Sequence, residues 1–184
     1  MSELELNVLG DLEVLRDGAP LRLPPSKKTR ALLAYLALND RGFRREHLCE
    51  LLWEIPDDPR GSLRWSLSKL RRVVDGDGQA RIVADRNNVR LDTTGMTIDV
   101  RELRRVAEGN LADAEVAELE ELVCRYRGNF LEGLELANFH DFHAWCVAER
   151  EAAARARIRL LEHLIERLTD DPERALPHAR ALVG

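Results

Sequence analysis

The amino-terminal segment alternates between apolar and polar side chains, which is typical of short β-strands with one buried face. One alternating run covers residues 4–8 and a second covers residues 13–16. The dipeptide Asp17-Gly18, which accepts the positive φ angles of a tight turn, separates the second run from residues 21–23. The pattern predicts a small antiparallel sheet before the first helix.

Three helices with apolar stripes at helical spacing follow this sheet. The first is predicted over residues 27–39 behind an N-cap at Ser26, and the second over residues 45–53. The third is predicted over residues 59–74, because Asp58 can cap a helix whose first position is a proline. Two β-prone runs at 81–83 and 89–91 then flank a turn, which predicts a terminal hairpin, or wing.

From residue 99 onward the chain becomes helical. Helices are predicted over 100–108 and 115–127, along a stretch without glycine or proline from 139 to 168, and after the Asp171-Pro172 cap. The domain boundary is expected near residues 93–95, which gives a winged-helix domain over 1–95 and a helical domain over 96–184. The last helix lacks a following partner, so we expect the sequence to be part of a longer polypeptide.

Charge is distributed unevenly along the chain. The net charge is −5, which taken whole argues against a nucleic-acid-binding protein. Residues 59–90, however, contain eight basic and three acidic side chains, whereas residues 96–184 contain 12 basic and 18 acidic ones. The cationic character therefore lies on the third helix and the predicted wing.

The third helix has two faces of opposite character. Its core stripe consists of Leu63, Leu67, Leu70 and Val74. The opposite face consists of Gly61, Arg64, Trp65, Ser68, Lys69 and Arg72, with Arg60 and Arg71 on the flanks. The helix contains no acidic residue, and its cations at this spacing suit the phosphates beside a DNA major groove, where arginine can also bind guanine.

Several sequence motifs together resemble a known family. LLAYLAL at 32–38, ELLW at 50–53 and LRWSLSKLRR at 63–72 resemble the OmpR-type winged helix of the Streptomyces antibiotic regulatory proteins. YRGNFLEG at 126–133 and the segment 145–150 resemble the bacterial transcriptional activator domain that follows it in that family. The resemblance implies an α+β fold, in which a winged helix-turn-helix with a small antiparallel sheet precedes an all-α, tetratricopeptide-like domain.

The resemblance also implies a sequence-specific DNA-binding regulator, most simply an activator, that contacts RNA polymerase holoenzyme. We expect a homodimer on double-stranded DNA, since one recognition helix reads few base pairs. The DNA contacts carried over are Arg60, Arg64, Trp65, Ser68, Lys69, Arg71 and Arg72 in the third helix and Arg86 and Asn88 in the wing. Lys27, Lys28 and Thr29 at the first helix are candidate phosphate anchors.

Two other function classes, an enzyme or metalloprotein and a protein scaffold, have weaker support in the sequence. His140, His143 and Cys146 have a spacing that could gather metal ligands, but the aromatic residues around them favour packing, so we predict neither metal nor cofactor. No phosphate-binding glycine motif occurs, and we predict no enzyme. The serious alternative is a winged helix that has lost DNA binding and serves as a protein scaffold.

Without an apolar run or signal peptide, the protein is expected in the cytoplasm with the nucleoid and not in a membrane.

Overall fold

The computed structural model of the chain describes residues 3–54, 58–76 and 78–183. Within these residues the fold is α+β, as the sequence predicts, with two small sheets and seven α-helices. One parallel strand pair occurs where the sequence predicts only antiparallel pairing. In chain order the elements are β1 (Leu4–Asn7), β2 (Glu13–Arg16), β3 (Ala19–Pro20), α1 (Lys27–Leu38), β4 (Phe43–Arg44), α2 (Arg45–Leu52), α3 (Pro59–Val74), β5 (Ile82–Ala84), β6 (Asn88–Leu91), β7 (Met96–Ile98), α4 (Asp99–Glu108), α5 (Val116–Cys124), α6 (His140–Arg167) and α7 (Pro172–Val183).

The first sheet has the strand order β3-β2-β1-β7, and β7 runs parallel to β1. Asp17 and Gly18 have φ angles of 52° and 75°, which confirms the predicted tight turn. The expected position of the third strand at residues 21–23 is wrong. A two-residue turn sets Ala19 opposite Arg16, so the third strand is the pair Ala19–Pro20, and the last hydrogen bond runs from the N–H of Leu21 to the carbonyl of Val14 at 2.8 Å.

The second sheet, of order β4-β6-β5, completes the winged helix together with α1, α2 and α3. The sequence did not predict β4, because two residues are too few to show an alternating pattern. α1 lies at the centre of this half, and every residue from Ala31 to Ala37 is buried. α3 packs against α1, α2 and β5.

A buried carboxylate fastens the first sheet to the helical half. Asp99, the first residue of α4, accepts hydrogen bonds from the backbone N–H groups of Val8 and Leu9, both at 2.9 Å. It also accepts one from the N–H of Val100 at 2.7 Å. Burial raises the pKa of Asp99, while these backbone donors act in the opposite direction. The carboxylate thus satisfies amide groups that would otherwise be buried without partners.

Residues 127–131 of the helical half also form hydrogen bonds with the segment that follows β1. The N–H of Leu131 donates to the carbonyl of Val8 at 2.8 Å, and the N–H of Gly10 donates to the carbonyl of Asn129 at 3.0 Å. The sequence predicts that this helix ends near residue 127, but α5 ends at Cys124. The segment that follows it bonds instead to the residues after β1. The contacts run across the predicted boundary at residue 95, and the buried apolar side chains form one continuous cluster.

Trp145 of α6 forms the aromatic junction between the two halves. Its ring centroid lies 5.0 Å from that of Tyr35 in α1 and 5.4 Å from that of Phe142. Phe130 contributes a third ring at 5.6 Å. Nearby, the guanidinium of Arg101 donates to the carboxylate of Asp40 at 2.6 Å. The helical half is thus packed directly on α1.

Replacing Asp99 with alanine should lower the free energy of unfolding by about 2 to 4 kcal/mol, because the buried N–H groups of Val8 and Leu9 lose their acceptor. Chemical denaturation followed by circular dichroism measures this change. Glu102→Ala is the matched control on the same helix, since Glu102 makes only a partly exposed ion pair with Arg105 at 3.5 Å. Equal losses in the two variants would contradict a specific role for the Asp99 carboxylate.

Candidate nucleic-acid interface

α3 is held at both ends by side chains. The carboxylate of Asp58 accepts the N–H of Gly61 at 2.8 Å, which confirms the predicted N-cap. At the other end, Arg16 of β2 donates to the carbonyls of Val73 and Asp75, both at 3.0 Å. These last carbonyls have no partner within the helix, so the guanidinium caps them and adds a favourable charge to the end of the helix dipole.

The two faces of α3 are disposed as the sequence predicts. Leu63, Leu67, Leu70 and Val74 are buried, at 0–2% exposure. Arg60, Arg64, Trp65, Ser68, Arg71 and Arg72 are exposed, and Lys69 is half-buried. The helix therefore presents a cationic surface to solvent and an apolar one to the core.

Most cationic side chains of this surface form no ion pair with the described residues. In the described part of the chain, Arg64, Arg71 and Arg72 have no acidic partner within 4.0 Å. Arg60 makes an exposed contact of 3.5 Å with Glu46 of α2. The Nζ of Lys69 lies 5.2 Å from the ring centroid of Trp65, whose side chain is 49% exposed. Without acidic partners, these guanidinium groups leave a strong local positive potential.

The turn between β5 and β6, at the tip of the wing, is held by several hydrogen bonds. The carboxylate of Asp85 accepts the N–H groups of Asn87 and Asn88, each at 2.7 Å. The hydrogen bond from the N–H of Asn88, followed by that from Asn87, lowers the pKa of Asp85. Arg45 of α2 holds the turn from outside, since its Nε donates to the carbonyl of Asp85 at 2.9 Å. Arg86 and Asn88, the two predicted contact residues of the wing, are exposed.

A cleft of about 530 Å³ separates the amino-terminal part of α3 from the wing. Its residues are Arg45, Glu46, Arg60, Leu63, Arg64, Asp85, Arg86 and Asn87. Three of the predicted contact residues, Arg60, Arg64 and Arg86, thus line one concave surface. A backbone phosphate group could enter it between cationic side chains.

One predicted contact, and one cation of the predicted wing, are not available at this surface. Arg81, in the predicted run 81–83, is buried and donates to the carbonyl of Thr94 at 2.8 Å, so it fastens the base of the wing. Thr29, expected as a phosphate anchor, is fully buried, and its hydroxyl lies 2.9 Å from that of Ser66 in α3. The predicted role of Thr29 is therefore wrong, because its hydroxyl pairs with Ser66 and joins α1 to α3.

The neighbouring lysines of α1 differ in their surroundings. Lys27 is exposed, whereas the Nζ of Lys28 lies 4.5 Å from the ring centroid of Phe139 in the helical half. Lys27 therefore remains a candidate phosphate contact beside α3. Lys28 is partly occupied by a cation–π contact.

Sequence reasoning missed two residues that position this surface, Arg16 and Arg45. A signal existed for Arg45, since a cation in the first turn of a helix opposes the helix dipole and suggests another role. No local signal marks Arg16, because its partners are more than 50 residues away.

The candidate metal ligands do not form a site. His143 is exposed and Cys146 is buried, and burial raises the pKa of the Cys146 thiol to about 12. Across residues 3–54, 58–76 and 78–183, no three histidine, cysteine, aspartate or glutamate side chains are grouped as metal ligands. In the same residues, no helix is both long and apolar enough to span a bilayer.

Comparisons with known proteins give a likeness of structure. The shared feature is the fold. The chain is similar to the structure entitled "Mycobacterium tuberculosis EmbR in complex with low affinity phosphopeptide", with a TM-score of 0.65 and 23% sequence identity. The match covers 99% of this chain and 59% of that chain. No family model and no curated protein matches the sequence. This likeness supports the expected fold, and the family resemblance of the sequence stays a prediction.

Proposed function

We propose that this chain is a sequence-specific, DNA-binding transcription regulator that inserts α3 into the major groove. The observation that carries the proposal is the exposed face of α3, on which Arg64, Arg71 and Arg72 have no acidic partner among the described residues. The wing lies beside it and adds Arg86 across a concave cleft. An apolar core face opposite a cationic solvent face is the usual construction of a recognition helix.

The acidic helical half does not compete for this surface. It packs on α1 through Trp145 and Tyr35, whereas α3 contacts α1 through Ser66 and Thr29. Because the guanidinium groups of α3 stay exposed, duplex DNA can approach without domain rearrangement.

The remaining assignments extend the family resemblance. We propose that residues 1–95 form the DNA-binding unit and that residues 96–184 form a tetratricopeptide-like activator domain. We further propose that two copies bind adjacent half-sites, that the complex recruits RNA polymerase holoenzyme as an activator, and that the protein acts at the nucleoid in the cytoplasm. Analytical ultracentrifugation with a selected duplex tests the proposed dimer. We expect two protein chains on each duplex.

The salt dependence of DNA affinity tests the central proposal. If each protein copy contacts about five phosphates, affinity should fall about 500-fold between about 50 and about 200 mM salt. Fluorescence anisotropy on a duplex selected from a random pool measures this slope. The control is Arg155→Ala, a variant of the helical half, titrated with the same duplex. Its affinity should depend on salt as steeply as that of the wild-type chain.

The scaffold hypothesis makes the opposite prediction. A winged helix that binds only proteins would enrich no duplex from the pool, and it would give no salt-dependent change in anisotropy. That result would overturn the proposed function.

A further inference from the structure

The outward surface of α3 contains two lines of residues with different chemistry, and the half-buried Lys69 lies on the flank opposite Arg64. At about 100° per residue, side chains four, three and four positions apart share a line along a helix. The central line, which lies opposite the buried core stripe, contains Gly61, Trp65, Ser68 and Arg72. The wing-side line, next to it, contains Arg60, Arg64 and Arg71.

The exposed residues of the wing-side line are all arginines. Arg60 and Arg64 line the cleft that they share with Arg86 of the wing. Side chains at this position would meet the edge of a groove and not its floor, because they lie to one side of the outermost line. Guanidinium groups at a groove edge meet phosphates, which carry no sequence information.

The central line is mostly uncharged and contains one arginine. Ser68 is small and exposed, so the helix backbone can approach the base edges closely there, whereas at Gly61 the capping carboxylate of Asp58 fills the space beside the backbone. Arg72 is the line's single cation, and it is exposed without an acidic partner in the described part of the chain. Trp65 adds a half-exposed indole, which offers DNA a large apolar contact. Arginine bidentate to guanine and apolar groups against the thymine methyl are two of the direct readouts of the major groove.

Resting on the DNA-binding function proposed above, we infer that Arg72 and Trp65 determine sequence specificity, whereas the wing-side line contributes phosphate affinity. Arg72 reads the N7 and O6 atoms of a guanine, and Trp65 covers the methyl group of a thymine. The two residues are seven positions apart, about 10 Å along the helix, which corresponds to about three base pairs. A half-site should therefore contain a G·C pair and a T·A pair at about that separation.

Selection from random duplexes locates these two positions. The pool bound by the wild-type chain should retain both base pairs. The pool bound by Arg72→Ala should lose its preference for the guanine alone, and the pool bound by Trp65→Ala should lose its preference for the thymine alone. Arg72→Lys keeps the charge but lacks the bidentate fork, so it too should lose the guanine preference.

Modified bases then test the atoms. Replacing the guanine by 7-deazaguanine removes N7, and replacing the thymine by uracil removes the methyl group. The first change should weaken wild-type binding about 5-fold or more and leave Arg72→Ala unaffected. The second should weaken wild-type binding and leave Trp65→Ala unaffected.

Arg64→Ala is the matched control from the wing-side line of the same helix. It should weaken binding to every duplex by the same factor and reduce the salt slope by about one. Thermal unfolding of each variant checks that these exposed substitutions leave the fold intact.

The outcomes separate this inference from the proposed function. If Arg72→Ala and Trp65→Ala weaken all duplexes equally and the modified bases have no differential effect, the inference is overturned while DNA binding stands. If the wild-type chain enriches no duplex, both are overturned.

Discussion

Reversing the charge of Arg64 and Arg72 together should lower the affinity for a selected duplex by about a thousandfold or more. Each substitution with glutamate removes a cationic contact and adds a repulsion against phosphate in a groove where water is partly excluded. Both side chains are exposed, so the variant should fold normally. Fluorescence anisotropy at about physiological salt measures the loss, and circular dichroism monitors the fold.

A matched variant makes this result specific. Arg155→Glu and Arg159→Glu alter the total charge by the same amount but lie on α6, beside α4 in the helical half. They should change DNA affinity only slightly, because α3 remains intact. Equal losses in the two double variants would mean that total charge governs binding, and would remove α3 from its proposed role.

Phe142→Ala should lower the free energy of unfolding by about 3 to 5 kcal/mol, the usual loss for a fully buried phenylalanine. Phe142 is 1% exposed and contacts Trp145 at the aromatic junction. Because the buried cluster is continuous, we also expect both halves to unfold together. Denaturation followed separately by circular dichroism and by tryptophan fluorescence should give the same midpoint.

Val147→Ala is the control for this prediction. Val147 lies on the same helix but is 37% exposed, so its truncation should have a much smaller effect. Two separate transitions in the wild-type chain, or equal destabilisation by the two variants, would contradict a shared core.

The features of α3 could be predicted because their causes are local. Asp58 and Pro59 mark its beginning, and the spacing of leucines fixes which face is buried. The Asp17-Gly18 turn was predictable for the same reason, since the dipeptide itself accepts positive φ angles. In each case the residues that indicate the feature lie within the feature itself or directly beside it.

The environments of Thr29 and Arg81 could not be read from nearby sequence. The hydroxyl of Thr29 meets that of Ser66 in another helix, and the guanidinium of Arg81 donates to carbonyls that follow the second strand of the hairpin. β7 was missed for a related reason, as a three-residue strand forms where β1 offers a free edge. Each depends on partners distant in the chain, which composition and periodicity do not reveal.

The cap that Arg16 places on the end of α3 connects the orientation of that helix to the first sheet. That sheet is in turn bonded to the helical half through Asp99. A search for mutations that change operator choice should therefore recover substitutions at Arg16 and around Asp99, far from any base, because a small rotation of the helix axis would redirect every side chain that it carries.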